Sequence, residues 1–272
     1  ELLSPAGNLE KLKIAIKYGA DAVYAGVSHF SLRIRAGKEF TFETFKEGID
    51  YAHARGKKVY ATINGFPFNS QIELLKKHIA TMAALKPDGF IVAAPGVVKL
   101  CREIAPEIDI HLSTQANVLN YLDAQVFWDL GVKRIVVARE ISLKDVMEIK
   151  KHLPDMEIEI FVHGSMCFAY SGRCLVSAVQ MGRVPNRGSC ANDCRFQYTL
   201  YAANEDHGTL FRLEEEPGIG TYIFNSKDMN LASHIKEILD SGAVDSLKIE
   251  GRTKSPYYAA VTAKAYRNAI DD

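Results

Sequence analysis

The sequence predicts an α/β fold: a (β/α)8 TIM-type barrel carrying a Cys-rich insertion with a β-hairpin between strands 7 and 8. Three observations predict it. Through the first 160 residues, short β-branched runs alternate with amphipathic stretches of helical period, the pattern of a parallel sheet. Eight such units in about 250 residues match the size of a closed barrel. The Gly-rich dinucleotide fingerprint is missing after the first strand, which weakens the alternative, an open doubly wound sheet.

The elements follow in order. Leu2-Leu3 opens the sheet, and Leu9–Tyr18 reads as a helix stopped at Gly19. Ala22–Ala25 is the second strand, followed by a helix over Phe42–Arg55 that ends at Gly56. Lys58–Ile63, Gly89–Val92 and Asp109–Leu112 are strands three to five, with a helical stretch over Gln71–Leu85. Gly131 stops the helix before strand six, Arg134–Val137; Ser142 then offers an N-cap side chain to a helix over Leu143–His152. Glu157–Val162 is strand seven. Leu247–Ile249 is strand eight, followed by a helix over Ser255–Ile270. Barrel units thus occupy 1–163 and 227–272, around an oversized insertion at 164–226. In it, Phe196–Ala202 and Tyr222–Phe224 read as the arms of a β-hairpin, and the acidic run Glu214–Glu216 as a solvated loop.

Composition bounds the function. Apolar residues make up 47% and charged residues 24% of the 272, a globular balance. No apolar run approaches the roughly 18–20 residues of a membrane helix, so no membrane partner is expected. The opening ELLSPAGNLEKL has no signal-peptide pattern, which gives a cytoplasmic expectation and argues against disulfides. It also lacks a methionine, as a piece trimmed from a longer protein does. A formal net charge of zero excludes a globally basic nucleic-acid binder. A local basic face remains: Arg173, Arg183, Arg187 and Arg195 stand against the single acid Asp193 between Phe161 and Leu200.

In such a barrel, chemistry collects at the C-terminal ends of the strands. Strand two ends at Tyr24-Ala25-Gly26, strand three at Asn64, strand five near Ser113, Gln115 and Asn117, strand six at Arg139-Glu140 and strand seven at His163. Strand eight ends at Glu250-Gly251-Arg252. Glu250, Arg139, Glu140 and His163 are the catalytic candidates. Tyr24, Asn64, Gln115, Asn117 and Arg252 are substrate-binding candidates, each weighed against a role in loop capping. After strand two, FSLRIRAG adds Arg33 and Arg35, whose planar forks suit carboxylate or phosphate.

Four of the five cysteines, Cys167, Cys174, Cys190 and Cys194, crowd into this insertion. Six, fifteen and three residues separate them. Structural zinc takes ligands in close pairs, which Cys190 and Cys194 supply and Cys167 and Cys174 do not. Irregular spacing suits an iron–sulfur cluster held by four thiolates; zinc and unligated thiols are the alternatives. Cys101 falls in a helical stretch, as a core residue would. Cys167 near His163 also permits a cysteine-protease reading, whose positioned base and oxyanion hole the sequence neither supplies nor excludes. Neither HExxH nor GxSxG occurs.

The segment EIFVHGSMCFAYSGRCLVS resembles the signature of the collagenase-like U-32 peptidase family. ELLSPAG, DAVYAG, FSLRIRAG, LSTQAN and SLKIEGRTKSPYY extend the likeness along the chain. AYSGRCLVS, SCANDCRF and GTYIFNSKD are most similar to its tRNA-hydroxylating branch, associated with 5-hydroxyuridine at the wobble position. The resemblance implies a 4Fe–4S cluster on Cys167, Cys174, Cys190 and Cys194, and prephenate as the source of the hydroxyl group. Prephenate is a dicarboxylate, which gives Arg33, Arg35, Arg139 and Arg252 a candidate ligand. The implied partner is a tRNA anticodon loop, with Tyr24, Phe168 or Tyr170 stacking on the base and the insertion arginines and Lys254 on phosphates. Family members usually continue into a small C-terminal β-domain, which this chain lacks after Asp272.

Overall fold

The computed structural model describes residues 1–27, 30–31, 40–170, 173–185, 189–203, 206, 208–213 and 227–272. Eight parallel strands close into a barrel. They are β1 (Leu2–Pro5), β2 (Ala22–Ala25), β3 (Lys58–Ile63), β4 (Gly89–Val92), β5 (Asp109–Leu112), β6 (Arg134–Val136), β7 (Glu157–Gly164) and β11 (Ser246–Ile249). Each pairs with the next in chain order, and β11 closes the ring between β7 and β1. Helices α1 (Leu9–Lys17), α2 (Phe42–His53), α3 (Ile72–Ala84), α4 (Pro95–Ile104), α5 (Tyr121–Asp129), α6 (Leu143–His152), α8 (Ile235–Asp240) and α9 (Pro256–Asp271) follow their strands. The expected closed barrel is therefore present. Among the described residues, no helix is long and apolar enough to cross a membrane.

Local signals account for the helix starts. Asn8, Asn120, Ser142 and Ser255 each accept a backbone N–H at the head of a helix, and Thr41 forms a reciprocal capping box with Thr44. Gly19, Gly56 and Gly131 have the positive φ expected just past α1, α2 and α5.

The core is layered by strand alternation. Val23, Ala61, Phe90, Ile110, Ile135 and Ile158 face outward and pack against the helices in one large apolar cluster. A second outward cluster gathers Leu2, Val162, Leu247, Ile249 and Tyr266. The opposite strand faces line the barrel interior, where Leu3, Tyr24, Tyr60 and Ile91 pack together. Among the other inward positions are polar and charged groups, His111, Arg134, Glu159 and Lys248, all buried.

The insertion contains α7 (Val176–Met181), the hairpin β8 (Leu200–Ala203) with β9 (Leu210–Leu213), and β10 (Met229–Asn230), which pairs antiparallel with the end of β7. The hairpin is tighter than the sequence reading has it. Leu200–Ala203 pairs with Leu210–Leu213, a partner strand that lies before the acidic run in the chain. Tyr222–Phe224 and Glu214–Glu216 lie outside the described residues.

Candidate functional site at the barrel mouth

A cavity of about 320 Å³ opens at the C-terminal ends of the strands, roofed by the insertion. Tyr24, Asn64, Gln115, Arg139, Glu250 and Arg252 all line it, as do the four insertion cysteines. Three expected residues lie elsewhere. Glu140 is exposed in the turn after β6. Asn117 adopts φ 54°, the left-handed cap of a short 3-10 turn at Thr114–Ala116, and is absent from the cavity wall. His163 sits instead in a groove beside α9, where Tyr258 and Tyr266 flank it with ring centroids at 5.8 and 5.5 Å. Its displacement has a register cause. Between Lys248↔Phe161 and Ile249↔His163 the β7–β11 ladder slips by one residue, so His163 pairs with the outward-facing Ile249. Arg33 and Arg35 lie outside the described residues.

The end of β11 organises one side of the mouth. Tyr24 Oη donates to Ile249 O at 2.9 Å and to Glu250 Oε2 at 3.2 Å, while Tyr258 Oη donates to Glu250 O at 2.8 Å. Burial, then the negative charge of Glu250, pushes the Tyr258 phenol above its ordinary range, so it stays protonated as that donor. Gly164, with φ 111°, lets β7 leave the barrel against this turn; a Cβ there would stand 2.7 Å from Glu250 O. Arg252 Nη1 donates to Ser31 Oγ at 2.8 Å and Thr62 Oγ1 at 3.0 Å, which turns its guanidinium across the cavity.

Another part of the wall is polar groups of the turn that follows β5. Gln115 is buried, its Oε1 accepting from Ser113 Oγ at 3.1 Å. Its Nε2 is buried without a hydrogen-bond partner among the described residues, a donor left for whatever enters. The carboxamide orientation is assigned, and either assignment leaves one amide atom for a ligand.

The thiols form the third wall. Cys167 and Cys190 are exposed, Cys174 and Cys194 half-buried, and no disulfide joins any of the five cysteines. Arg139 stacks over the Phe161 ring at 4.3 Å and points Nη1 at Cys167 Sγ, 3.7 Å away. Burial raises the Cys194 thiol above its ordinary value; Arg195 opposes the shift and the nearby Cys190 and Cys167 thiols add to it. Three of the four sulfurs are therefore electrostatic neighbours. Among the described residues, no group of three His, Cys, Asp or Glu side chains is closed into a ready metal site. The donor set fits a four-thiolate group by chemistry and by shared wall, but the shell is open. Cys101, in contrast, is fully buried in α4, where burial pushes its thiol up to about 12.

The sequence reading missed the floor of the cavity. Lys248, on β11, lines it from below and donates to Glu159 Oε1 at 2.6 Å. The other Glu159 oxygen accepts from Arg134 Nη1 at 3.2 Å, and Arg134 also holds Glu1 and Glu157. Burial pushes the Glu1 carboxyl up, but the Arg134 charge and hydrogen bonds from Arg134, Tyr60 and Ser246 outweigh it and hold it below the ordinary range. A column of charge thus runs through the barrel interior to the pocket. Its signal was the lysine between Leu247 and Ile249 and the alternation Glu157-Ile158-Glu159-Ile160.

Comparisons with known proteins place this geometry. The chain is 75% identical over 272 residues to tRNA hydroxylation protein P of Helicobacter pylori, with all of this chain and 64% of that protein covered. It is 42% identical over 309 aligned residues to tRNA hydroxylation protein P of Escherichia coli, with all of this chain and 68% of that protein covered. The chain thus spans less than two thirds of the Helicobacter relative it matches. The solved structure of the U32 peptidase Mk0906 superposes with a TM-score of 0.59 at 15% identity, covering 92% of this chain and 93% of that one, which supports the barrel fold alone. The model of Peptidase family U32 matches residues 7–272, and the chain belongs to that family.

Proposed function

We propose that the chain is the barrel part of an RNA-modifying hydroxylase that converts the wobble uridine of tRNA to 5-hydroxyuridine. Two relatives bearing the name tRNA hydroxylation protein support the reading. One observation in the molecule carries it: four cysteines, a basic lining and exposed aromatics share a single cavity at the C-terminal end of the barrel. Phe168 and Tyr170, 54% and 56% exposed at its rim, offer faces on which a nucleobase stacks. Anticodon-loop bases are already single-stranded, which lowers the cost of extruding one into a pocket. The Gln115 carboxamide offers hydrogen bonds to a base edge. A tRNA substrate also implies a cytoplasmic location.

Cys167, Cys174, Cys190 and Cys194 would hold a 4Fe–4S cluster, with zinc the alternative. When bound, such a cluster supplies one-electron exchange at the cavity wall. Arg139 and Arg252 would orient a dicarboxylate, for which prephenate is the proposed hydroxyl source. Replacing uracil C5–H by C5–OH removes two electrons from the base. A donor that gives up its hydroxyl and leaves with hydrogen in its place accepts them.

A peptidase, as the family name suggests, is the competing reading. It needs a base beside the Cys167 nucleophile, and the neighbour of Cys167 is Arg139, while His163 lies in the groove beside α9. Mass spectrometry of tRNA from deletion and complemented cells separates the two. Loss of 5-hydroxyuridine on deletion, restored by complementation, is expected. Its persistence in a strain with no redundant pathway sinks the hydroxylase reading. Iron, acid-labile sulfide and zinc assays on anaerobically purified protein test the metal; stoichiometric zinc without sulfide rejects the cluster.

A further inference from the structure

The interior of an eight-stranded barrel is ordinarily filled by branched apolar side chains. Here its axis carries Glu159, with a fully buried side chain, between Arg134 and Lys248, whose side chains are each 5% exposed. Buried ion pairs of this kind contribute little net stability, because desolvation offsets their attraction. A column that merely filled the barrel would be as well served by leucine and valine. Its upper end, however, lies in the wall of the cavity.

Lys248 is held there by one carboxylate and two aromatic rings. Glu159 takes one hydrogen bond at 2.6 Å. The rings of Tyr24 and Phe161 stand 4.5 and 5.6 Å from the ammonium. Each ring is shared with an arginine: Arg252 lies 6.0 Å from the Tyr24 centroid and Arg139 lies 4.3 Å from that of Phe161. Lys248 therefore sits between the two arginines, on the floor they flank. An ammonium carries three donors, and Glu159 is the one hydrogen-bond acceptor Lys248 has among the described residues. Glu250 is the lone carboxylate on the described wall, against the cations Arg139, Arg195, Lys248, Arg252 and Lys254.

We infer that Lys248 is the anion anchor of the cavity, its ammonium taking one carboxylate of the small organic acid that binds between Arg139 and Arg252. Glu159, braced by Arg134, fixes the position of that ammonium. The assignment rests on the reading in which a dicarboxylate enters the cavity, and it adds the residue that receives it.

The test is calorimetric titration of anaerobically purified protein with prephenate and, separately, with malate and 2-oxoglutarate as other small dicarboxylates. Lys248→Met alone leaves Glu159 to Arg134, a cation it shares with Glu1 and Glu157, so the decisive variant is Lys248→Met with Glu159→Gln, which removes charge and counter-charge together. Glu159→Gln alone keeps the ammonium. The double variant is expected to lose about 10–100-fold in affinity, the span of one charge-assisted hydrogen bond, with its circular dichroism spectrum unchanged. Glu159→Gln keeps the ammonium and, through its amide oxygen, an acceptor that positions it, so its change in affinity is expected to be smaller than that of the double variant. Wild-type protein that binds malate or 2-oxoglutarate but not prephenate, with loss in the double variant, keeps the anchor and removes the prephenate reading. Prephenate binding unchanged in the folded double variant overturns the anchor and leaves that reading intact. Binding of none of the three by wild type overturns both.

Discussion

Replacing Gly26 by alanine probes how the fold aims Arg252. The new Cβ would lie 2.4 Å from Ser31 Oγ, 2.4 Å from Thr62 Oγ1 and 2.7 Å from Ser31 Cβ. That is roughly 1 Å inside van der Waals contact. Neither neighbour has room to yield: Ser31 and Thr62 are each 2% exposed, and their hydroxyls are already 2.6 Å apart. These hydroxyls are also the acceptors of Arg252 Nη1, at 2.8 and 3.0 Å. A methyl group must therefore split the pair or turn it away from the arginine. Overpacking costs about 1–3 kcal/mol of stability. Loss of one charge-assisted bond to Arg252 is expected to weaken anion binding at least about tenfold. Urea denaturation followed by circular dichroism reads the first effect, and prephenate titration with tRNA mass spectrometry reads the second. Ser31→Gly added to the alanine variant removes two of the three close contacts, so it is expected to recover stability but not binding. Gly26→Ala with stability within about 0.5 kcal/mol of wild type and unaltered ligand affinity would refute the argument.

Three further outcomes are expected. Arg134→Met leaves Glu1, Glu157 and Glu159 without their shared cation and is expected to cost about 3–5 kcal/mol in a urea titration. Burial, then the charges of Arg134, Lys248 and Lys58, holds the His111 imidazole well below 6.5, so the unfolded chain binds the proton first as pH falls. Its contribution to stability is complete above pH 6.5 and declines below it, by at most about 1.4 kcal/mol per pH unit; His111→Phe should flatten that slope in melts taken across the range. In metal-free, reduced protein, a thiol reagent is expected to modify Cys167, Cys174, Cys190 and Cys194 promptly and Cys101 only on unfolding, as peptide mass mapping will show.

Much of the barrel was legible because a parallel sheet covered on both faces leaves short, dense strands. Ala22–Ala25, Lys58–Ile63, Gly89–Val92 and Asp109–Leu112 stand where the β-branched runs put them. The cysteine wall was legible from crowding, and the mouth residues from their place at strand ends. Two things were not. The alternation in Glu157–Val162 reads as one wet and one dry face, yet in a closed barrel the polar face is the interior, so Glu159 and Lys248 are core residues. The slip between Lys248 and Ile249 involves a pairing partner far along the chain, so nothing local announces that His163 turns outward.

That slip also explains why the insertion roofs the mouth. One extra residue in β7 bends the strand and increases its local twist. Beyond it, His163 and Gly164 no longer serve the barrel ring; they pair antiparallel with Asn230 and Met229 of β10. The Leu231 N–H donates to Val162 O at 2.9 Å and to Tyr266 Oη at 3.2 Å, and Tyr266 Oη itself donates to Val162 O at 2.7 Å. The chain therefore leaves and re-enters the barrel at one point, held there by Tyr266 of α9. Ser165, Met166 and Cys167 follow at once and reach the cavity wall. Arg195 ties the far end of the cysteine segment back, donating to Met166 O and to Asp228 Oδ1 at 3.0 Å. Two anchors, one of backbone pairing and one of charge, fix where the thiols stand relative to Glu250, Lys248 and Arg252. The distance from cysteine wall to barrel floor is thus set by the sheet, and a variant that restores β7 to regular register would move the thiols without touching them.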